Sequence, residues 1–479
     1  MKELAPWAKA DLPEPPLPRG LQWIGICGPG VIVLGVSIGS GEFLLGPATF
    51  VRHGLSLLWV TLVAVFFQTV FNTELMRYTV ATGEPVVTGF MRTRPGKTFW
   101  AWFYAALYFL QVGWPAWASA AAAALFFLCV GRMADPVQEA HVLYGIGIGT
   151  FAACILVLAL GKRIARTLEI LNWLLVSVIL GGFLILGLIY VPGGTWLAAL
   201  VGFTGFDLAH GRFTYLPEGA DMLLIGALVG YSGGGGVLNI TLSNWARDKG
   251  YGMGSRVGHI SGAIGGAKSH LADTGFIFDA SAENARRWRG WWRIVRVDQW
   301  CIFFIGALLG MMLPALLYVS FITPGSNIKS SVISAVLANG IGTAATPVLG
   351  VIVALLGAWI LFKTQLDVVE GLTRSVTDIL WTGSARVRKW GDVRAVYYSV
   401  LGAVVVWGVI ALKLPPMALL QMGANIAGMI FIIASLHLLY LNTRVLPKEL
   451  RPPMWRRVAL VCMSLFYAFF VTLVVRSLL

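Results

Sequence analysis

The amino-acid sequence predicts an all-α polytopic membrane protein with eleven transmembrane helices. Of its 479 residues, 57% are apolar and only 12% are charged, about half the charged share of soluble globular domains. Eleven separate apolar windows are each long enough for a bilayer-spanning helix, which takes about 20 residues. A soluble chain of this length would need far more charge to cover its surface, so we expect lipid to be its main solvent.

The eleven windows give the predicted helices in chain order. They lie near residues 21–52, 56–82, 98–129, 142–160, 165–192, 219–245, 300–323, 346–382, 392–413, 417–441 and 453–478. Of the 36 Lys and Arg residues, 28 fall in the N-terminal segment and in alternate loops, and six fall in the other loops. Because cytoplasmic loops collect Lys and Arg, this asymmetry predicts a cytoplasmic N-terminus and an external C-terminus. We expect an integral protein of a plasma membrane, such as the bacterial inner membrane.

Outside these windows, the chain has a polar N-terminal tail over 1–20 and a long inner loop over 246–299. The loop contains a basic, tryptophan-rich stretch from Arg286 to Arg296. This stretch predicts a helix on anionic lipid headgroups, with regulatory docking as the alternative. The five cysteines lie in apolar segments without CxxC spacing, which indicates core packing and neither a disulfide nor a zinc framework.

Glycine interrupts two of the windows near mid-membrane. The first window contains GSGE at 39–42, and the sixth contains SGGGG at 232–236. Each glycine costs a helix roughly 1 kcal/mol relative to alanine, so we expect both helices to be unwound at these points. Close helix packing is the alternative use of glycine in membranes, and it explains a four-glycine run poorly.

The interruptions fall at matching places in two sets of five helices. Matched broken helices are typical of transporter folds built from an inverted repeat, with the cargo site between the two breaks. We therefore expect a first repeat over 21–192, a second repeat over 219–441 and a peripheral eleventh helix over 453–478.

The two interruptions contain the residues that we expect to bind cargo. Glu42 is a carboxylate at mid-membrane depth, where a charge is expensive and usually functional. Neither interruption contains Met, Cys or His, and oxygen ligands suit hard cations such as magnesium, calcium or manganese. The expected binding residues are Gly39, Ser40, Glu42, Tyr231, Ser232, Gly233, Gly234 and Asn239, with Glu42 as the candidate metal ligand.

The eighth window carries charges in mid-membrane. Lys363 and Asp367 are four residues apart, so they share a helix face and can pair. These charges either line an ion path beside the first helix or form a self-compensating network, and an unpaired Asp367 would need another cation. The candidate ion path comprises Lys363, Gln365, Asp367, Glu370 and Asn425.

A series of short motifs lies between residues 28 and 84. It begins with GPG at 28–30, includes GLSLLW at 54–59 and ends with ATGE at 81–84. In these motifs, and in Gln365 and Gly371 of the eighth window, the chain resembles the Nramp family of divalent-metal transporters. The resemblance covers helices one to ten and is dense over 28–90. It implies a LeuT-type fold, a 5+5 inverted repeat with broken helices 1 and 6.

The metal-site motifs of that family are replaced in this chain. Gly39 and Glu42 stand where the family has Asp and Asn in its first helix, and Tyr231 and Gly234 stand at its Ala and Met ligand positions. The third helix lacks the family's acidic residues for proton transfer and has Gln111, Ala118 and Ala121 there. The resemblance therefore implies a divergent, Nramp-related transporter of a harder cation, without the family's usual proton coupling.

Sequence and resemblance together give one expected function and two alternatives. We expect a secondary transporter that moves a divalent cation, such as magnesium or manganese, by alternating access and without a cofactor. The first alternative is a cation-coupled symporter of a small organic solute such as an amino acid. The second is a membrane-embedded sensor or enzyme, and the lack of an HExxH motif in the helices argues against a metalloprotease. The expected partners are the lipid bilayer and the small cation or solute, and not nucleic acid.

Overall fold

Eleven helical segments follow one another along the chain, each at the place of a predicted window. The computed structural model describes residues 4–160, 164–258, 274–326 and 332–479, with the backbone alone at 160 and 164–168. The predicted tail and inner loop therefore lie partly outside the described residues. Helices 1 to 11 comprise Pro29–His53, Leu55–Thr82, Lys97–Val130, Ala140–Leu160, Ile164–Tyr190, Met222–Tyr231 with Val237–Asp248, Ala282–Phe321, Pro347–Gly383, Val393–Ala411, Pro416–Val445 and Met454–Leu478.

The helix count agrees with the prediction. Within the described residues, ten segments are individually long and apolar enough to cross a membrane. Helix 6 is the eleventh, since its two halves of 10 and 12 residues are each too short to cross alone. The all-α membrane class is therefore confirmed.

Short helices and strands lie in the connections. The helices are Gln22–Ile26, Val86–Phe90, Gly193–Gly202, Gly254–Val257, Ile333–Ala344, Ala385–Arg388 and Lys448–Leu450. The strands are β1 (Ala8–Lys9), β2 (Phe206–Asp207), β3 (Arg212–Phe213) and β4 (Phe276–Ile277). Strand β1 pairs in parallel with β4, and β2 pairs antiparallel with β3.

The N-terminal segment over 5–15, here called the strap, is docked on the same end of the molecule as the beginning of helix 7. The Trp7 indole donates to Glu84 Oε2 at 3.1 Å, and Arg287 donates to the Leu12 carbonyl at 2.8 Å. The basic stretch after Ala282 is helical, as its pattern indicates, and part of its charge binds the strap. Its contact with lipid stays a prediction.

Helix 1 is not unwound at 39–42, so the first predicted break is wrong. The backbone remains helical and widens into a π-helix over Ile38–Leu45, between the α-helical stretches Pro29–Ser37 and Gly46–His53. Glycine weakens an isolated helix, but here neighbouring helices approach so closely that no side chain would fit. Such π-helical turns are frequent at functional sites.

Helix 6 is broken as predicted. Its first half ends at Tyr231, and its second half begins at Val237. Three glycines of the connecting run have positive φ angles: 98° at Gly233, 90° at Gly235 and 53° at Gly236. Residues with a Cβ rarely adopt this conformation, so the run needs glycine for its backbone path.

Candidate functional site

The π-helical segment of helix 1 lies directly against the break in helix 6. A Cβ placed on Gly41 would lie 1.8 Å from the Tyr231 carbonyl oxygen, at the last residue before the break. On another side, a Cβ on Gly39 would lie 2.0 Å from Thr364 Oγ1 of helix 8. The two interruptions therefore meet in the interior of the protein, as the sequence indicates, although only one of them is unwound.

Ser40 links helix 1 to helix 3. Its hydroxyl donates to the Val36 carbonyl at 3.0 Å and accepts from the indole N–H of Trp117 at 3.0 Å. The Trp117 ring lies 6.3 Å from the ring of Tyr231, measured between centroids. The predicted residues Ser40 and Tyr231 are thus joined through an indole that the sequence reasoning did not select.

Glu42 is completely buried in the π-helical segment. The Ser37 hydroxyl donates to its Oε1 atom. Its Oε2 atom has no hydrogen-bond partner in the described part of the chain, and it lies against Gly310 of helix 7, where a Cβ would be 2.2 Å away. Helix 7 thus leaves room for the carboxylate, which points toward it.

Two glutamines from other helices hold the backbone of the break. Gln68 of helix 2 donates to the Ser232 carbonyl at 2.6 Å and accepts from the Gly235 amide at 3.4 Å. Gln111 of helix 3 donates to the Gly235 carbonyl at 2.9 Å and accepts from the Val237 amide at 2.8 Å. Each amide side chain replaces hydrogen bonds that an unbroken helix would make internally, which allows unwound backbone inside a membrane protein.

The other predicted residues of helix 6 face several directions. Ser232 Oγ lies 3.2 Å from Thr61 Oγ1 of helix 2. The Cα of Gly234 faces Val33 of helix 1, since a Cβ there would lie 2.7 Å from Val33 Cγ1. Asn239 donates to Asn72 Oδ1 at 2.8 Å, and its own Oδ1 has no partner in the described part of the chain.

Lys363 and Asp367 form the ion pair that their spacing predicts. Both side chains are buried, and the ammonium also contacts Oδ1 of Asn172 in helix 5. This group lies beside helix 1: a Cβ on Gly35 would be 1.6 Å from Asn172 Oδ1 and 3.2 Å from Lys363 Nζ. Helices 1, 5 and 8 therefore meet around the Lys363 side chain.

The remaining members of the candidate ion path have other contacts. Gln365 accepts from the Ala118 amide at 3.1 Å, where the second part of helix 3 begins. Glu370 accepts from Arg374, whose guanidinium also donates to Asp248 at 2.7 Å. The Asn425 amide donates to the Leu223 and Gln421 carbonyls at 3.1 Å and 2.8 Å. For Glu370, these contacts fit the self-compensating network better than an ion path.

The structure adds residues that the sequence reasoning missed. Asn172, Gln68 and Trp117 bind the central segments from three different helices. In the sequence, the only feature that could have pointed to these three residues is a polar or indole N–H group within an apolar window. The sequence analysis also missed Met311 of helix 7. Its sulfur packs against Gly46, which lies one turn after Glu42 in helix 1, and would be 2.2 Å from a Cβ placed there. Within the described residues, no group of three or more His, Cys, Asp or Glu could hold a metal.

Comparison with solved structures establishes the fold. A manganese transporter of Eremococcus coleocola, crystallised as a mutant, is 15% identical with a TM-score of 0.62, covering 96% of this chain and 89% of its own. A crystal structure of a different mutant of that transporter is 15% identical with a TM-score of 0.61, and the match covers 95% of this chain and 88% of the transporter. MhsT in complex with L-phenylalanine is 14% identical with a TM-score of 0.53, and the match covers 97% of this chain and 99% of MhsT. The expected LeuT-type fold is therefore confirmed. No protein-family model matches the sequence, and no curated protein matches it.

Proposed function

We propose that the protein is an alternating-access transporter of a small, hard divalent cation such as magnesium or manganese, with Glu42 as the residue that binds it. One observation carries the proposal: Glu42 is fully buried in helix 1, and its Oε2 atom has no partner in the described part of the chain. A buried charge without a counter-charge is expensive, and such residues in membrane helices mark ion pathways. A cation beside Oε2 would supply the missing counter-charge.

The donors around Glu42 set the class of ion. Ser37 provides a hydroxyl oxygen beside the carboxylate. Hard cations prefer oxygen ligands, and magnesium in particular keeps several waters and uses only one or two carboxylates. One carboxylate with neutral oxygens therefore suits a partly hydrated divalent ion. The Met311 thioether packs against Gly46, one turn after Glu42, and a thioether within reach of the cargo would favour manganese over magnesium.

The internal ion pair supports transport without a second coupling cation. The Lys363 ammonium already neutralises Asp367 in the space between helices 1, 5 and 8. A free cation that bound Asp367 would have to displace the Lys363 ammonium. The effective concentration of this ammonium is high because it belongs to the same helix as Asp367. We therefore infer that cargo binds at Glu42 alone.

The break in helix 6 provides the hinge that alternating access requires. Its hydrogen bonds come from the side chains of Gln68 and Gln111, which can change partners as the two halves of helix 6 tilt. The close contact of Gly41 with Tyr231 would transmit that tilt to helix 1. Hinges of this kind consist of a few residues that absorb large changes in φ and ψ.

The test is uptake of magnesium and of manganese into proteoliposomes by the wild type and by Glu42→Gln. We expect the substitution to reduce flux at least tenfold, since it removes the charge and leaves the shape. Asp378→Asn is the matched control. It also removes a buried carboxylate, but one that pairs with Arg247 at 2.6 Å, away from the π-helical segment. The control leaves Arg247 paired with Asp248 at 2.8 Å, so it should fold and keep its flux. Equal fluxes for Glu42→Gln and the wild type would exclude Glu42 as a ligand.

A second candidate function is cation-coupled symport of an amino acid or similar solute. It is favoured by the buried pair of Trp117 and Tyr231 beside the break in helix 6, which offers aromatic surface to an organic molecule. The solved neighbour MhsT was crystallised with L-phenylalanine. Binding of amino acids with no flux of any divalent cation would favour this function over the first.

A further inference from the structure

We propose that the cleft where helix 10 ends and helix 11 begins binds one anionic glycerophospholipid, with the phosphate on its arginines and the acyl chains along helix 11. The cleft has a volume of about 630 Å³. It is lined by Leu439, Thr443, Arg444, Arg451, Met454, Arg457, Val458, Val461 and Cys462. One end therefore carries three guanidinium groups, and the rest of its wall is almost entirely apolar.

Within the described residues, the three arginines have no carboxylate as a counter-charge. No ion pair joins Arg444, Arg451 or Arg457 to a carboxylate in the described part of the chain. Two of them are fixed in place by backbone: Arg451 donates to the Leu446 carbonyl at 3.1 Å, and Arg457 donates to the Pro452 carbonyl at 2.8 Å. Their remaining N–H groups are available for a phosphate, which guanidinium groups bind through two parallel hydrogen bonds.

A second basic cleft lies on the other side of the first turn of helix 11. It has a volume of about 490 Å³ and is lined by Arg77, Trp292, Arg296, Trp300, Pro453, Trp455 and Arg456. Glu74 is the one carboxylate that pairs with this group in the described part of the chain, and it serves both Arg77 and Arg456. The surplus positive charge of this cleft strengthens the field at the start of helix 11, which favours an anion there.

The apolar half of the site continues along helices 10 and 11. Val458 is 51% exposed, Val461 is 39% exposed and Leu465 is 65% exposed on helix 11. Leu436 and Tyr440 are exposed on the adjoining part of helix 10. An acyl chain lying along these side chains would keep the phosphate at the arginines, and this amphipathic geometry distinguishes a lipid from a free phosphate. Basic pockets between membrane helices at the interface are suited to anionic lipid headgroups.

The experiment compares lipids and variants on the purified full-length protein. Thermal unfolding is followed in neutral detergent while phosphatidylglycerol, phosphatidylcholine or inorganic phosphate is added, and bound lipid is counted by native mass spectrometry. We expect phosphatidylglycerol alone to raise the unfolding temperature and to remain bound. Equal stabilisation by phosphatidylcholine, or full stabilisation by inorganic phosphate, would overturn the proposal.

The variants locate the site. Arg444→Gln alters an exposed side chain that makes no internal hydrogen bond in the described part of the chain, so it leaves folding intact. It should weaken phosphatidylglycerol binding about fivefold, the effect of one basic residue near a charged membrane surface. Arg386→Gln, in the connection between helices 8 and 9, removes the same charge away from the cleft and should leave binding unchanged. Equal affinities for the two variants would refute the site.

Discussion

Replacing Gly41 with alanine tests the central contact of the structure. The added Cβ would lie 1.8 Å from the Tyr231 carbonyl oxygen and 2.6 Å from its carbonyl carbon. Both atoms belong to backbone, which cannot rotate away as a side chain can. Helices 1 and 6 would have to separate by roughly 1 Å, and overpacking of this kind costs about 1–3 kcal/mol.

Part of this cost is offset because alanine favours a helix over glycine by up to about 1 kcal/mol. We therefore expect Gly41→Ala to lower the free energy of unfolding by about 1–2 kcal/mol and to reduce transport. The assays are equilibrium unfolding in mixed micelles and uptake into proteoliposomes.

Gly181→Ala in helix 5 is the matched control, because nothing lies within 4 Å of a Cβ at that position. It makes the same chemical change in a membrane helix and should leave the protein equally or slightly more stable. If Gly41→Ala were as stable and as active as Gly181→Ala, helices 1 and 6 would not be in contact at this point.

Three further predictions follow from buried polar contacts. Lys363→Gln or Asp367→Asn alone should lower the free energy of unfolding by about 3–5 kcal/mol, because each leaves one buried charge without its partner. The double variant removes both charges, so it should cost less than the two single losses added together. Additive losses would contradict the pairing. Gln111→Leu should cost about 1–3 kcal/mol, since it leaves the Gly235 carbonyl and Val237 amide without their partner, and an unchanged unfolding free energy would show that the break does not need this side chain. At Glu84, burial raises the pKa, but the hydrogen bonds and charge of Arg92 outweigh it, so the pKa of the carboxyl is held below its usual range. Its contribution to stability is therefore present at neutral pH and is lost as the pH falls through that lowered pKa, so limited proteolysis should release the strap only in acid; a strap equally protected in acid and at neutral pH would contradict this.

The sequence determined the solvent of this protein and the number of its helices. Charges are too few to cover a water-exposed surface, and windows of about 20 apolar residues have one stable solution in lipid, so eleven helices could be counted without coordinates. The pairing of Lys363 with Asp367 was also local information, because residues four apart share a helix face.

The role of the glycines was decided only by tertiary structure. Glycine lacks a side chain, and this one property permits both unwinding and close approach of a neighbour. The run at 233–236 is unwound, with Gln68 and Gln111 of two other helices binding its backbone. Residues 39–42 stay helical, because helices 6 and 8 fill the space beside them. The identity of these neighbours depends on how distant segments pack, which no local pattern in the sequence records.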